Sequence, residues 1–369
     1  MKVYFFPPKS VTNPYIDHVI NGLEKNGVTV INKGAANKYK KLFSSFQAMV
    51  RHTDVYHFNW LENKASVDTK KNRIICGAIL MWLRVIRLSG GKLVWTMHNR
   101  ESHDCEGDKT FHYSFLRKLI SQMDMIVVHA KDSTDILVNE YHFPAEKICY
   151  VPHGSYLEGA GAELPKADNH DGLVFLAFGR INRYKNIPML IQVFREANMP
   201  DVRLRIFGKC DAGDPDLLLQ IQKEIGDHQN ITYEDRYVSD EEANAIFGHS
   251  DIVILPYDKQ SMINSGAAVK AFSEAKPIIV SRFGAMKDIE DRSFVHCYDY
   301  TDDADHKEQL KKILLDVYRQ WCGQKESLAN EGEEAFRYAK EELSWDSICE
   351  TIAAFYGKTI AGELHANES

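Results

Sequence analysis

Short β-rich runs alternate with amphipathic helical patterns along almost the whole chain, and few folds accept that alternation. In the first half the runs lie at residues 3–6, 28–31, 55–58, 93–97, 125–129 and 148–151. Between the first two, Ile16, Val19, Ile20 and Leu23 recur at i, i+3, i+4 and i+7, and Gly27 closes the pattern as one face of a helix would. Strand–helix–strand units in series predict a parallel sheet. The series breaks over residues 158–172, a stretch rich in Gly, Ala, Pro and acidic residues, then restarts at 173–178, 202–207, 231–233, 252–255, 277–280 and 294–298. The last 60 or so residues read as helical, including 310–321 and a final helix near 345–356.

With 369 residues and roughly 100–200 residues per domain, the expectation is an α/β protein of two Rossmann-like domains. The first spans 1–158 with the last helix, 345–369, crossing back to it; 159–172 is the linker; 173–344 is the second. A ligand site between two such units is the default expectation.

Composition removes several classes. The chain is 44% apolar and 26% charged, which excludes disordered and fibrous proteins. Its net charge of −7 gives no support for nucleic-acid binding. The seven cysteines form no CxxC pair, so neither a zinc ribbon nor a disulfide framework is legible, and a reducing compartment is the natural inference. The apolar opening is stopped by Pro7 and Pro8 and reads as a strand, not a signal peptide. Residues 74–88 form the longest apolar stretch, but Arg84 and Arg87 interrupt it and it is too short to span a bilayer. Within residues 33–118, 16 Lys and Arg stand against 7 Asp and Glu. That basic half is read either as a face for anionic lipid or an anionic acceptor, or as solvated helix faces around one buried helix.

The first strand–helix junction, Phe6 to Pro14, has no glycine, which argues against a nicotinamide-binding fingerprint. In the second half, Arg180 and Lys185 come after the first strand at the carboxyl edge of the predicted sheet, beside a helix start, where cations and free amides suit a diphosphate. Asn264, Ser265 and Gly266 open another helix behind Leu255-Pro256-Tyr257. Ser265 alone reads equally well as an N-cap. In the first half, Trp95-Thr96-Met97-His98-Asn99 ends a strand, with Glu101, His103 and Asp104 close behind. Adjacent residues cannot orient one another as a hydrolase triad, and two histidines five apart lack a third zinc ligand. Another strand end delivers His57, Asn59, Trp60 and Glu62 to the same edge, an indole beside a carboxylate that suits a sugar, although Trp60 reads as well as core packing. Asp214-Pro215-Asp216 has the form of a metal-holding DxD, but stands where Asp commonly caps a helix.

Together these residues resemble the GT-B glycosyltransferases, and within them the large family 4. The pattern rests on Gly179, Arg180 and Lys185, on residues 255–268, on the closing Ser344-Trp345-Asp346, and on the Trp-Thr-x-His-Asn and His-x-x-Trp-x-Glu patterns of a polysaccharide-assembly branch. The resemblance implies the GT-B fold and transfer of a sugar, such as a hexose, from a UDP- or GDP-sugar donor to a glycan or lipid-linked acceptor, without cofactor or metal. It implies that Arg180, Lys185, Asn264, Ser265 and Gly266 hold the donor diphosphate, that the loop from Tyr233 to Val238 approaches the base, and that His98 contacts the donor sugar. On the acceptor side it places His57, Asn59, Trp60 and Glu62, with Asn59 standing where relatives often carry a second histidine. The cysteine pattern and the basic stretch 33–118 lead to the expectation of a cytoplasmic location, with peripheral contact at the inner face of the membrane. Met262 and Lys270 stand where most relatives carry two glutamates, the second of which binds the ribose. If the reaction inverts, a general base is required, and Glu101 or Asp104 is the candidate. Two alternatives share the architecture: a nucleotide-sugar 2-epimerase and a catalytically silent glycosyltransferase subunit.

Overall fold

The computed structural model describes residues 1–369 apart from 10–13, 34–51, 101–108, 158–160, 166–169, 261 and 364–369. The chain divides into two compact units, Met1–Gly154 with Trp345–Ser369 and Ser155–Ser344. The division falls ahead of the composition break at 159–172, because Tyr156 and Leu157 already pack against the core of the second unit.

In the first unit the order is β1 (Lys2–Phe6), α1 (Tyr15–Lys25), β2 (Thr29–Val30), β3 (Val55–Asn59), α2 (Lys70–Leu88), β4 (Lys92–Met97), α3 (Thr110–Ile120), β5 (Met125–Val128), α4 (Lys131–Asn139) and β6 (Ile148–Tyr150). The strands form a parallel sheet in the order β2-β1-β3-β4-β5-β6. Alternate residues Val3 and Phe5, Val55, Val94, and Met125 and Val127 line one face of it, as the two-residue period of a strand requires. The apolar face of α1 covers that face through Ile16, Val19, Ile20 and Leu23, the residues whose spacing marked the helix.

The second unit continues with β7 (Leu173–Phe178), α5 (Ile187–Ala197), β8 (Val202–Phe207), α6 (Pro215–Ile225), β9 (Ile231–Glu234), α7 (Asp240–Gly248), β10 (Ile252–Leu255), α8 (Gly266–Ser273), β11 (Ile278–Ser281), the single-turn α9 (Gly284–Lys287), β12 (Val295–Tyr298), α10 (Asp303–Gly323) and α11 (Ser327–Glu341). Its parallel sheet runs β12-β11-β10-β7-β8-β9. The reversal of direction on either side of β7 is a topological switch point, where open α/β sheets bind ligands at their carboxyl edge.

The last helix, α12 (Trp345–Ala361), belongs to the first unit. Ile348, Cys349, Ile352 and Tyr356 complete its core. Gly22 of α1 permits the close approach: a Cβ there would lie 2.5 Å from Cys349 Sγ.

Sequence and structure part company on α2. The helix is not buried: Ile74, Met81, Val85 and Leu88 face solvent, while Cys76, Leu83 and Ile86 face inward.

Candidate active site

The carboxyl edge of the first sheet gathers four histidines. His57 lies in β3, while His98, His129 and His153 stand just beyond β4, β5 and β6, so each arrives at the same end of a parallel strand. Tyr15, at the start of α1, fills the centre with ring contacts to His98 (4.9 Å), His129 (5.6 Å) and His153 (5.4 Å). Trp60 stacks on His98 at 4.6 Å and 19°. Its backbone is left-handed, at φ 54°, a conformation unusual for a bulky residue and concentrated at functional sites.

Hydrogen bonds fix the protonation of this cluster. The Val151 carbonyl can only accept, so His129 Nδ1 donates to it (2.9 Å) and His129 Nε2 accepts from the Tyr15 hydroxyl (3.0 Å). His153 Nδ1 donates to the Gly154 carbonyl at 2.8 Å. The same logic reaches His98 through Asn59. Asn59 Nδ2 donates to the Phe6 carbonyl (3.3 Å), which turns Oδ1 toward His98 Nε2 (2.9 Å), so Nε2 must carry the proton. A neutral His98 then has its acceptor lone pair on Nδ1. Burial, and then the proximity of His129, His153 and His57, hold His98 well below the ordinary imidazole range. Burial likewise brings His57 and His153 down to about 3 and His129 to about 4.

Two expected acceptor-side contacts are corrected here. His57 and Glu62 have no exposed surface. His57 is held between Thr96 Oγ1 (2.6 Å from Nε2) and the Tyr356 hydroxyl, and so props the cluster from beneath. The Glu62 carboxyl points into the core, where Oε2 accepts from Trp95 Nε1 at 3.2 Å and burial pushes its pKa up to about 8. Asn59 is buried and touches His98, whereas Trp60 keeps a half-buried face. Glu101 and Asp104 lie outside the described residues. Tyr15, His129, His153 and Tyr356 escaped the sequence reading, although His129 and His153 stand at strand ends by the rule that drew attention to His98.

In the second unit, Arg180 and Lys185 occupy the connection between β7 and α5, beside the switch point. Gly179 has φ +94°, and a Cβ there would come within 3.1 Å of Lys185 Nζ; Gly208 is closer still, since its Cβ would meet the Gly179 carbonyl oxygen at 2.2 Å. The glycines thus let the backbone close around the lysine. Lys185 is buried, donates to the Phe178 carbonyl (2.9 Å) and lies over the Tyr257 ring at 5.3 Å. Burial alone lowers its pKa to about 7. Arg180 is exposed and leans on Asp211 at 3.1 Å. At the start of α8, Asn264 Oδ1 accepts from the Ser265 amide (2.9 Å), and Ser265 Oγ accepts from the Ala268 amide (3.3 Å) as the N-cap. The next amides, at the positive end of the helix, remain as donors for an anion.

Tyr233 donates to the Gly208 carbonyl (3.2 Å) and to Asp235 Oδ1 (3.1 Å), while Val238 packs half-buried against the core. Met262 is buried, and Lys270 is tied to Glu274 (2.6 Å) and Asn244 (2.7 Å). Lys270 is therefore neutralised by a carboxylate one helical turn on. Asp214 caps α6 through the Leu217 amide (3.2 Å) and pairs with Arg183 at 2.6 Å, so its oxygens are engaged. Among the described residues no three His, Cys, Asp or Glu side chains converge as a metal site.

Residues 164–334 match the family model described as glycosyl transferases group 1. The fold is shared with sucrose-phosphate synthase from Thermosynechococcus elongatus (TM-score 0.70, 13% identity, 98% of this chain and 100% of that one) and with the Anabaena protein HepE in complex with UDP-glucose (TM-score 0.67, 14% identity, 97% and 100%). The chain is a glycosyltransferase of the GT-B fold. A curated relative, the GDP-mannose:glycolipid 4-beta-D-mannosyltransferase of Xanthomonas campestris pv. campestris, is 24% identical over 275 residues, 74% of this glycosyltransferase and 70% of the relative.

Proposed function

We propose that this glycosyltransferase moves a hexose, with GDP-mannose the favoured donor, to a lipid-linked glycan without a resident metal. The observation that carries the donor half is Lys185, a buried cation whose charge only burial disfavours and which an arriving diphosphate would restore. Arg180 and the amides at the start of α8 add fixed positive charge for the leaving group. The likeness to a mannosyltransferase that uses GDP-mannose and a glycolipid supports this choice of donor and acceptor.

The acceptor hydroxyl attacks the anomeric carbon, the bond from that carbon to the diphosphate oxygen breaks, and the nucleoside diphosphate leaves with the bonding pair. The acceptor proton passes to a carboxylate, for which Glu101 and Asp104 are the candidates in an inverting reaction. His98 accepts a hydrogen bond from a sugar hydroxyl at Nδ1, and Trp60 offers a sugar-stacking face. A lipid-linked acceptor places the enzyme at the inner face of a membrane, in the cytoplasm, as a peripheral protein.

Purified enzyme assayed with GDP-mannose, UDP-glucose and other nucleotide sugars, with and without a polyprenyl-diphosphate-linked glycan, tests this reading. Transfer that requires both substrates is expected. Epimerised donor in the absence of acceptor would favour an epimerase, and donor binding without turnover on any donor a silent subunit.

A further inference from the structure

We propose that Thr96 is a positioning residue for His98. It stands in the middle of a one-way chain of buried hydrogen bonds that runs from Tyr356 to the Val151 carbonyl and holds Tyr15 against the His98 ring. The inference rests on the proposed role of His98 as a ligand of the sugar.

The direction of every bond follows from the last member of the chain. The Val151 carbonyl takes the Nδ1 proton of His129, so the Tyr15 hydroxyl gives its one proton to His129 Nε2. Thr96 bonds the Tyr15 oxygen through its side chain, and with the phenolic proton already committed it is the threonine that donates. Thr96 Oγ1 lies 2.6 Å from His57 Nε2 and, having given its own proton to Tyr15, can only accept there. A neutral His57 therefore carries its proton on Nε2, which leaves Nδ1 to accept from the Tyr356 hydroxyl. Reversing any single link would set two donors or two acceptors against each other elsewhere in the chain.

These groups are costly where they stand. Tyr15, His57, Thr96, His129 and Tyr356 are each at most 2% exposed. Thr96 sits between Trp95 and Met97 in β4, where a valine would fill the same space with no hydroxyl to satisfy. Replacing buried hydrogen-bonded groups by apolar ones of like shape is often close to neutral for stability, so packing alone does not account for five in series. A fully satisfied network does something packing cannot, which is to specify a single arrangement.

The side chain it arranges is Tyr15. Besides the three histidines, the Tyr15 ring meets Trp60 at 6.1 Å and Trp345 at 5.4 Å. Ring contacts of this kind tolerate some rotation, whereas one hydrogen bond accepted and another donated at the same oxygen do not. Asn59 fixes the Nε2 end of His98, Trp60 stacks on it, and Tyr15 abuts it at 4.9 Å and 81°. A Tyr15 that tilts away from His129 thus changes where His98 Nδ1 points.

Long-range 1H–15N spectra of the full chain test the proposal before any substrate is added. The native protein should show the His57 proton on Nε2. Thr96→Val, with unchanged circular dichroism, should move that proton to Nδ1, where the Tyr356 oxygen can accept it. The same variant should shift the His98 ring resonances, which sense the Tyr15 ring current, and lower kcat for transfer by about 10- to 100-fold with a smaller change in donor KM. Thr96→Ser keeps the hydroxyl and should restore both spectrum and rate. Tyr356→Phe removes only the first donor of the chain and should leave the His57 proton on Nε2, so it decides the direction even if Thr96→Val fails to fold. The proposal is overturned by a native or Tyr356→Phe protein with the His57 proton on Nδ1, or by Thr96→Val with native His98 resonances and native kcat. The expected spectra in a native protein that transfers no sugar would count against the proposed reaction and uphold the chain.

Discussion

Asn59 Oδ1 lies 2.9 Å from His98 Nε2, and the Phe6 carbonyl on the other side of the amide leaves Asn59 only one orientation. The pair therefore selects a tautomer as well as a position for His98. Asn59→Leu keeps the approximate shape but removes the acceptor, and should lower kcat by about 10- to 100-fold with a smaller change in donor affinity. Asn59→Asp should retain the tautomer and, by favouring the imidazolium, move the acidic limb of the kcat profile to higher pH. The 15N shifts of His98 give an independent reading, since a proton found on Nδ1 in the native protein would refute the assignment.

Lys185 is pulled down to about 7 by burial, so at pH 8 it is mostly neutral before a donor binds. Nucleoside diphosphate should restore the charge, with net proton uptake on binding and tighter binding as pH falls from 8 to 7. Calorimetry in buffers of different ionisation enthalpy measures the uptake directly. Lys185→Met should abolish it and weaken binding by about 2 kcal/mol.

The buried histidines make the first unit acid-sensitive. In the unfolded chain they protonate near pH 6.5, while folded His57, His129 and His153 resist until about 3, 4 and 3. The unfolded state thus binds more protons in this window, and stability is lost as pH falls from 6.5. Glu62, raised to about 8, acts in the opposite sense. The balance is a loss of about 2–3 kcal/mol per pH unit near pH 5.5. Trp60, Trp82, Trp95 and Trp345 all belong to the first unit, leaving only Trp321 in the second, so fluorescence-detected urea unfolding reports mainly on the first. His129→Gln should make the slope shallower by about 1.4 kcal/mol per pH unit.

For Glu62 the sign reverses. Folded Glu62 keeps its proton to about pH 8 and the unfolded residue loses it near 4.5, so its contribution to stability declines as pH rises between those values. Glu62→Gln should abolish this decline and stabilise the first unit at pH 9 relative to the native chain. Equal unfolding midpoints for the two proteins at pH 9 would show that Glu62 is not a buried neutral acid.

Strands 173–178 and 252–255 were legible to the residue because each is an uninterrupted apolar run, and 202–207 because Arg203 and Arg205 alternate with apolar residues at the period of a strand. The carboxyl-edge rule also placed His98, Arg180 and Lys185 just beyond strand ends from local order alone, and they lie there. It missed the burial of His57 and Glu62, which depends on Tyr356 from the far end of the chain and on the turn made by Trp60. The apolar residues of α2 misled for a related reason. Periodicity shows that a helix has an apolar stripe, but the stripe's partner is a matter of tertiary packing.

The placement of α12 has a consequence for biosynthesis. Ile348, Cys349, Ile352 and Tyr356 fill the core built by residues near the amino terminus, yet a ribosome makes them after all of Ser155–Ser344. The first sheet to emerge must wait, incompletely covered, while the second unit is synthesised and folds. A nascent chain stopped at residue 344 would expose the underside of its histidine cluster to water. The enzyme's first half is thus the last to mature, and loss of a short carboxyl-terminal segment would be felt at His57, almost three hundred residues earlier in the chain.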